Sequence, residues 1–431
     1  MSEKPISRRN VLKSAGMISA WTGTVFFGPW KHNRVYAAAT DKPIKIGITS
    51  DASGQYANRG VSDRRGVVMA INEFNHKGGL LGRRIEIAGL DTETTPATGA
   101  RVAERLITQD EASFLIGATS SGVANAVSQV AQKYGTVYLN TNSSSPTESG
   151  TNCHRVKFVW NGNGTNFAKA AVKNAMQVYG DQWLLLTSDY VWGRNTSASM
   201  RKLIDAAGGK VIDEILVPRG ARDFASVLLK VQQAKAQVIA AAIGGDDQKA
   251  MRQQVAQPGM GAEPAWISSQ RDWPDVYGLP LDNLFGVFGT TWYHKLDLPG
   301  VAEFVQRYQA AYPDARMKVP GNVFYNGYMA THELLQAVER AGTTSNIQII
   351  KQLEGRRIPA RDRLQHFDAY INSATHQMQQ TVYLATANIG SKDKEDMFKI
   401  VSWSSPEDVR DTGADASCKL ESYADTPSYE T

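Results

Sequence analysis

The chain has 431 residues, with 47 Lys and Arg against 42 Asp and Glu and a formal net charge of +5. Six of the basic residues and one acidic residue fall within the first 39 positions, which leaves 41 of each sign, and no basic run follows residue 40. Binding to a phosphate backbone needs clustered Lys and Arg, so nucleic acid is excluded as a partner.

Arg8 and Arg9 precede an apolar run from Ala15 to Trp30, and Ala37-Ala38-Ala39 supplies an A-x-A cleavage site. In this order the three features read as a twin-arginine signal peptide over residues 1–39, which addresses the chain to the periplasm. Gly16, Gly23, Gly28 and Pro29 interrupt the run. It therefore falls short of the roughly 20 apolar residues of a membrane span, and a retained anchor is the alternative.

From Ile44 onward short apolar strands alternate with amphipathic helices. Strands are predicted at 44–49, 85–89, 114–117 and 137–140, with helices at 59–75, 96–109 and 122–134 between them. The rhythm restarts after Cys153, with strands at 183–187, 210–217, 238–243, 265–268 and 284–290 and helices at 167–179, 195–207, 224–234 and 247–257. Helices at 301–311, 322–341 and 346–354 follow, then a late strand at 381–385 and a polar tail. About 390 mature residues exceed one core, and the βαβ rhythm predicts an α/β chain of two doubly wound lobes.

The motifs of common enzymes are missing. There is no H-E-x-x-H, no G-x-S-x-G, no P-loop and no G-x-G-x-x-G after a strand, so no metal and no cofactor is expected. His332-Glu333 reads as a helix-surface pair. What remains is three strand-to-helix loops rich in hydroxyl, amide and aromatic groups: Ser50 to Gly60, Gly117 to Gly122, and Thr141 to Pro146. Ligands of open α/β sheets gather at the carboxyl ends of strands. Ser121 and Gly122 open a helix whose N–H groups can meet a carboxylate. Ser, Thr and Asn also serve as ordinary turn and cap residues. The even cysteine count in an oxidising compartment favours a Cys153–Cys418 disulfide over two free thiols.

Several segments resemble the type I periplasmic binding proteins of the leucine/isoleucine/valine-binding family, the solute receptors of ATP-driven importers. They are Ile44-Lys45-Ile46-Gly47 with Ser53-Gly54, Ser121-Gly122-Val123-Ala124, Ser188 to Gly193, Arg222 to Leu228, and Tyr325-Asn326-Gly327-Tyr328. The resemblance covers roughly residues 42–390 and implies two Rossmann-like lobes joined by three crossovers, near Asn161, Thr290 and His366. The first lobe would hold residues 41–161 and 291–366, the second 162–290 and 367–390, with a tail over 391–431.

The resemblance further implies that Ser121 and the loop Asn142 to Ser144 hold a ligand carboxylate, and that Tyr56 and Trp192 flank the ligand. Where the family places acidic groups for an α-ammonium, this chain has Asn161 and Gln270-Arg271, with Asp246 left to serve. Tyr56, Trp160, Trp192, Trp292 and Tyr293 suit a flat or aromatic ligand. The expected function is a non-enzymatic periplasmic receptor for a small amino acid, aromatic carboxylate or amide. It would deliver this ligand to the membrane permease of an ABC importer as a monomer or weak dimer. The alternatives are a ligand-sensing module that signals to a membrane partner, and an exported serine hydrolase using Ser121, for which no His partner is recognisable.

Overall fold

The computed structural model describes residues 42–256 and 264–431; the expected signal peptide lies outside them. The first lobe is built from β1 (Ile44–Ser50), α1 (Ala57–His76), β2 (Ile85–Asp91), α2 (Pro96–Thr108), β3 (Phe114–Gly117), α3 (Ser121–Tyr134), β4 (Val137–Asn140) and β5 (Lys157–Val159). Its sheet runs β2-β1-β3-β4-β5, parallel throughout. Every residue of β3 and β4 is buried, the mark of strands covered on both faces.

The second lobe contains α4 (Gly164–Tyr179), β6 (Gln182–Ser188), α5 (Val191–Ala206), β7 (Lys210–Val217), α6 (Ala225–Ala234), β8 (Val238–Ala242), α7 (Gly245–Val255), β9 (Ala265–Ser268), α8 (Trp273–Val276) and β10 (Val287–Thr290). Its parallel strands lie in the order β7-β6-β8-β9-β10, which repeats the winding of the first sheet. In β6, Trp183 and Leu185 pack into one apolar cluster and Leu184 and Leu186 into another, because successive strand residues face opposite sides. A reciprocal Asn163–Asn166 capping box starts α4 just where the chain changes lobes.

The chain then returns to the first lobe through α9 (Val301–Ala311), α10 (Asn322–Ala341) and α11 (Asn346–Leu353). Phe304, Leu334 and Ile350 share a core with Ile46 and Val67. His332 is half-buried and Glu333 buried, the latter ion-paired to Arg340 and Arg356. They are thus not the surface pair expected, because α10 is covered on more sides than its sequence pattern shows.

β11 (Arg357–Ile358), α12 (Ala360–Arg363), β12 (Ala369–Ile371) and β13 (Met378–Gln379) follow, the strands forming a small antiparallel sheet. Val159 N donates to His376 O and Val159 bridges Gln377, while His366 stacks on Trp403 and bonds Tyr383 of the strands that follow. Strands of two or three residues carry too little periodicity to be seen in sequence.

β14 (Val382–Ala387) and β15 (Phe398–Ser404) extend the second sheet antiparallel. The expected tail is therefore folded, continuing through α13 (Pro406–Val409) and α14 (Thr412–Ser417). Beyond them it returns to the first lobe, where Tyr429 Oη donates to Ala112 O at 2.8 Å. Cys153 and Cys418 are disulfide-bonded with Cα atoms 5.7 Å apart. Among the described residues no helix is long and apolar enough to cross a membrane.

The bridge spans 265 residues of sequence. Replacing both cysteines by serine is expected to lower stability by about 2–5 kcal/mol, read as an earlier denaturant midpoint; an unchanged midpoint would show that the C-terminal segment docks without it.

Candidate functional site

In each lobe the strand order reverses beside the first strand, β1 or β6, and the loops leaving that strand and its neighbour, β3 or β8, meet at the carboxyl ends. These four loops carry the polar residues that face each other across the interlobe cleft. Gln55 Nε2 donates to Asp247 Oδ2 at 2.6 Å and to Gly244 O at 3.3 Å, and Asp246 N donates to Gln55 O. Tyr56 Oη and Tyr190 Oη share a 2.5 Å hydrogen bond. Burial pushes the Tyr56 phenol up to about 12, so both rings stay neutral bridges.

Arg59, in the first turn of α1, makes the strongest cross-lobe contact. Its Nη1 lies 2.8 Å from Asp272 Oδ2 and its Nε donates to both oxygens of Asp275 at 3.0 and 2.9 Å, while Nη2 also meets Asp275. All three side chains are almost fully buried. Burial works against the guanidinium's charge, yet Asp272 and Asp275 hold its pKa above the ordinary value. The clasp is anchored further by Gly245 N on Asp275, Gln270 Nε2 on Asp272 and Trp273 N on Asn322 Oδ1.

Tyr56, Arg59 and Trp192 converge on Gly244. A Cβ there would stand 3.2 Å from Arg59 Nη2, 3.4 Å from Trp192 Cζ3 and 3.5 Å from Tyr56 Oη. At Gly245, φ is +61° and a Cβ would come within 2.8 Å of the Tyr56 ring and of Gln55 O, so a side chain is barred by both backbone and space. Tyr190 lies between the other two rings, with centroids 6.3 Å from Tyr56 and 6.1 Å from Trp192. The Arg219 guanidinium carbon stands 4.8 Å from the Tyr190 ring centre.

The first lobe presents the N-terminus of α3 to this cleft. Ser121 is buried at the first helical position, its Oγ accepting from Ser145 N at 3.2 Å. Gly122 packs against Pro96. Beneath them, Asp51 Oδ2 accepts from Thr119 N and Ser120 N at 2.7 and 2.9 Å. Several buried polar atoms around the cleft have no partner among the described residues: Thr119 Oγ1, Ser120 Oγ, Asn161 Oδ1, Trp192 Nε1, Asp247 Oδ1 and Ser269 Oγ. Protein interiors satisfy nearly all such groups, and these belong to segments of both lobes at the carboxyl ends of the sheets.

Other expected residues are placed differently. Asn142 directs its side chain into the first lobe, donating to Asp63 Oδ1 and Val323 O and accepting from Asn326, which leaves only its backbone near the cleft. Asn161 Nδ2 donates to Asn142 O. Ser144 Oγ donates across the lobes to Gln270 Oε1 at 2.8 Å. Asp246 turns outward, 35% exposed and 3.5 Å from Arg222; its buried neighbour Asp247 faces Gln55 instead, because Asp246 and Asp247 stand about 100° apart on the first turn of α7. Arg271 points into the second lobe, donating to Leu284 O and Phe285 O and stacking over Phe288 at 3.8 Å. Arg59, Tyr190, Asp272 and Asp275 are the residues that sequence reasoning missed. Tyr190 and Arg59 stood inside quoted loops, but no local signal joins Arg59 to an aspartate 216 positions away.

A family model described as periplasmic binding protein matches residues 43–395. A Leu/Ile/Val-binding protein of Rhizobium johnstonii is 25% identical over 209 residues, covering 47% of this chain and 55% of the relative, so the match spans about half of that protein's length. A Leu/Ile/Val-binding protein homologue of Brucella melitensis is 25% identical over 325 residues, covering 72% of this chain and 82% of the relative. Among solved structures, a periplasmic binding protein of Burkholderia mallei superposes with a TM-score of 0.78 at 26% identity, covering 86% of this chain and 96% of that one. A solute-binding protein of Rhodopseudomonas palustris in complex with 3,4-dihydroxybenzoic acid has a TM-score of 0.75 at 18% identity, covering 84% and 98%.

Two outcomes are expected here. Arg59→Met leaves two buried carboxylates unpaired and should cost about 3–5 kcal/mol, whereas the triple change Arg59→Met, Asp272→Asn, Asp275→Asn should recover most of it; chemical denaturation of the three proteins decides. Asp63, buried with only Thr141 and Asn142 as donors, is pushed up to about 8 by burial, the Asp51 charge adding to it. The folded chain then holds a proton that the unfolded chain releases near pH 4, so this group makes stability fall as pH rises from about 4 to about 8. Asp63→Asn should flatten that part of the melting-temperature profile, and an unaltered slope would contradict it.

Proposed function

Because the chain belongs to the periplasmic binding protein family, we propose that it is the substrate-binding receptor of an ATP-driven importer. Its ligand is a small molecule with a carboxylate or amide end and a flat or aromatic body, held between the lobes. The observation that carries this reading is the row of Tyr56, Tyr190 and Trp192 rings, together with buried polar atoms of Thr119, Ser120, Asn161 and Trp192 that lack a partner among the described residues, all in segments at the carboxyl ends of the two sheets. Small-molecule sites are mostly apolar surfaces with a few placed polar groups, and this cluster has that composition.

The α3 N-terminus supplies the anion-facing end. Helix N–H groups and the Thr119, Ser120 and Ser121 hydroxyls replace the water that a carboxylate or amide oxygen gives up. The rings supply area for a planar body. Relatives described as Leu/Ile/Val-binding and solved structures holding benzoate and 4-hydroxybenzoate bracket the two ligand classes. Asp272 and Asp275 are engaged by Arg59, so an α-ammonium would rely on Asp247, whose Oδ1 has no partner; this favours aromatic acids and amides over amino acids. Domain closure is the working step, since the ligand's contacts come from both lobes. Delivery to a permease and export by the twin-arginine route belong to the same proposal.

A thermal-shift panel of amino acids, aromatic acids, amides and diols tests it. A ligand at 100 times its Kd stabilises the native state by about 2.7 kcal/mol, a readily measured rise in Tm. Ser121→Ala and Trp192→Ala should each weaken the responding ligand at least about tenfold, the size of one lost charge-assisted hydrogen bond or buried ring contact. If no class raised the Tm, the receptor reading would fail; if the variants responded like the parent, the site would be elsewhere.

A further inference from the structure

Outside the cleft, a pocket opens on the flank of the first lobe between α10 and the α12 region, lined among others by Trp160, Arg307, Glu333, Arg356, Asp362 and Arg363. Arg363 is 1% exposed and has no carboxylate within ion-pair distance among the described residues. Glu333, an acid whose charge reaches it, is already shared by Arg340 and Arg356. The Arg363 guanidinium rests on ring faces instead, 4.9 Å from the Trp160 centroid and 5.2 Å from that of Tyr325. Among the described residues its side chain makes one hydrogen bond, from Nη2 to Gln380 Oε1, at 2.6 Å.

Two of its donors, Nε and Nη1, have no partner among the described residues, and neither does Nε1 of Trp160, the ring that the guanidinium lies over. A buried cation that lacks both a counter-charge and its hydrogen bonds is costly unless something supplies them. A planar guanidinium fork with an indole N–H alongside matches the lone pairs of a small oxyanion. We propose that this pocket is a second binding site, specific for a small oxyanion of the carboxylate or phosphate type, with Arg363 as its counter-charge and Trp160 as an added donor.

The position of the site gives it reach. Gln380, which accepts from Arg363, donates to Trp160 O at 2.7 Å and also accepts from Gln365, which donates to Thr291 O at 2.7 Å. One side-chain chain thus links Arg363 to all three crossovers between the lobes.

The test titrates purified mature protein with sodium acetate and, separately, sodium phosphate, against sodium chloride at matched ionic strength, and follows Tm. A saturable rise with acetate alone identifies a carboxylate site and with phosphate alone a phosphate site, and in either case Arg363→Met should weaken it at least tenfold. Should Arg363→Met not fold, Arg363→Lys, which keeps the charge and loses the fork, is read in its place with the same expected loss. The proposal is overturned if neither anion exceeds the chloride control, or if the Arg363 variant that folds responds as the parent does.

Discussion

Arg59 between Asp272 and Asp275 is the contact on which the closed arrangement of this molecule depends. Three charges leave water together there: the guanidinium is offset by both carboxylates, and each carboxylate by Arg59 and by a backbone or amide donor. Removing Arg59 would leave both carboxylates buried and unpaired. The clasp also fixes the neighbourhood: Arg59 stands over the Tyr56 ring at 5.0 Å, Tyr56 presses on Gly245, and Gly245 in turn donates to Asp275. The aromatic wall of the cleft and the ion triad are therefore one packed unit.

Around it the two lobes act as near copies. Each uses a doubly wound parallel sheet whose switch point delivers two loops to the cleft. The first lobe brings hydroxyls and a helix N-terminus, the second brings Tyr190, Trp192 and the Gly244-Gly245 turn. Buried carboxylates Asp51 and Asp63 sit below the first-lobe loops and tie them together through Thr119, Ser120, Thr141 and Asn142. Those loops are thus held rigid by hydrogen bonds that span the sheet, which suits a preorganised site.

Much of this was legible in the sequence. Strands such as Phe114–Gly117, Lys210–Val217 and Ala265–Ser268 and the helices Val301–Ala311 and Asn322–Ala341 match their predicted bounds, because continuous apolar runs and three-to-four spacing are local signals. The loops at the cleft were legible for the same reason: they follow strands. What sequence could not show was direction. Asn142, Asp246 and Arg271 lie in the right segments, but their side chains turn into a core, to solvent and into the second lobe. Long-range pairings such as Arg59 with Asp275, and the two-residue strands around Gln377, leave no periodic trace, so the clasp and the small antiparallel sheet emerge only in three dimensions.

The most direct test is a crystal structure of the mature protein with the tightest ligand found by thermal shift. Electron density for that ligand is predicted between the α3 N-terminus and the rings of Tyr56 and Trp192, within hydrogen-bond reach of Ser121, with the Arg59 clasp closed beside it. An interlobe cleft without ligand density, in a crystal grown at saturating ligand, would contradict the account.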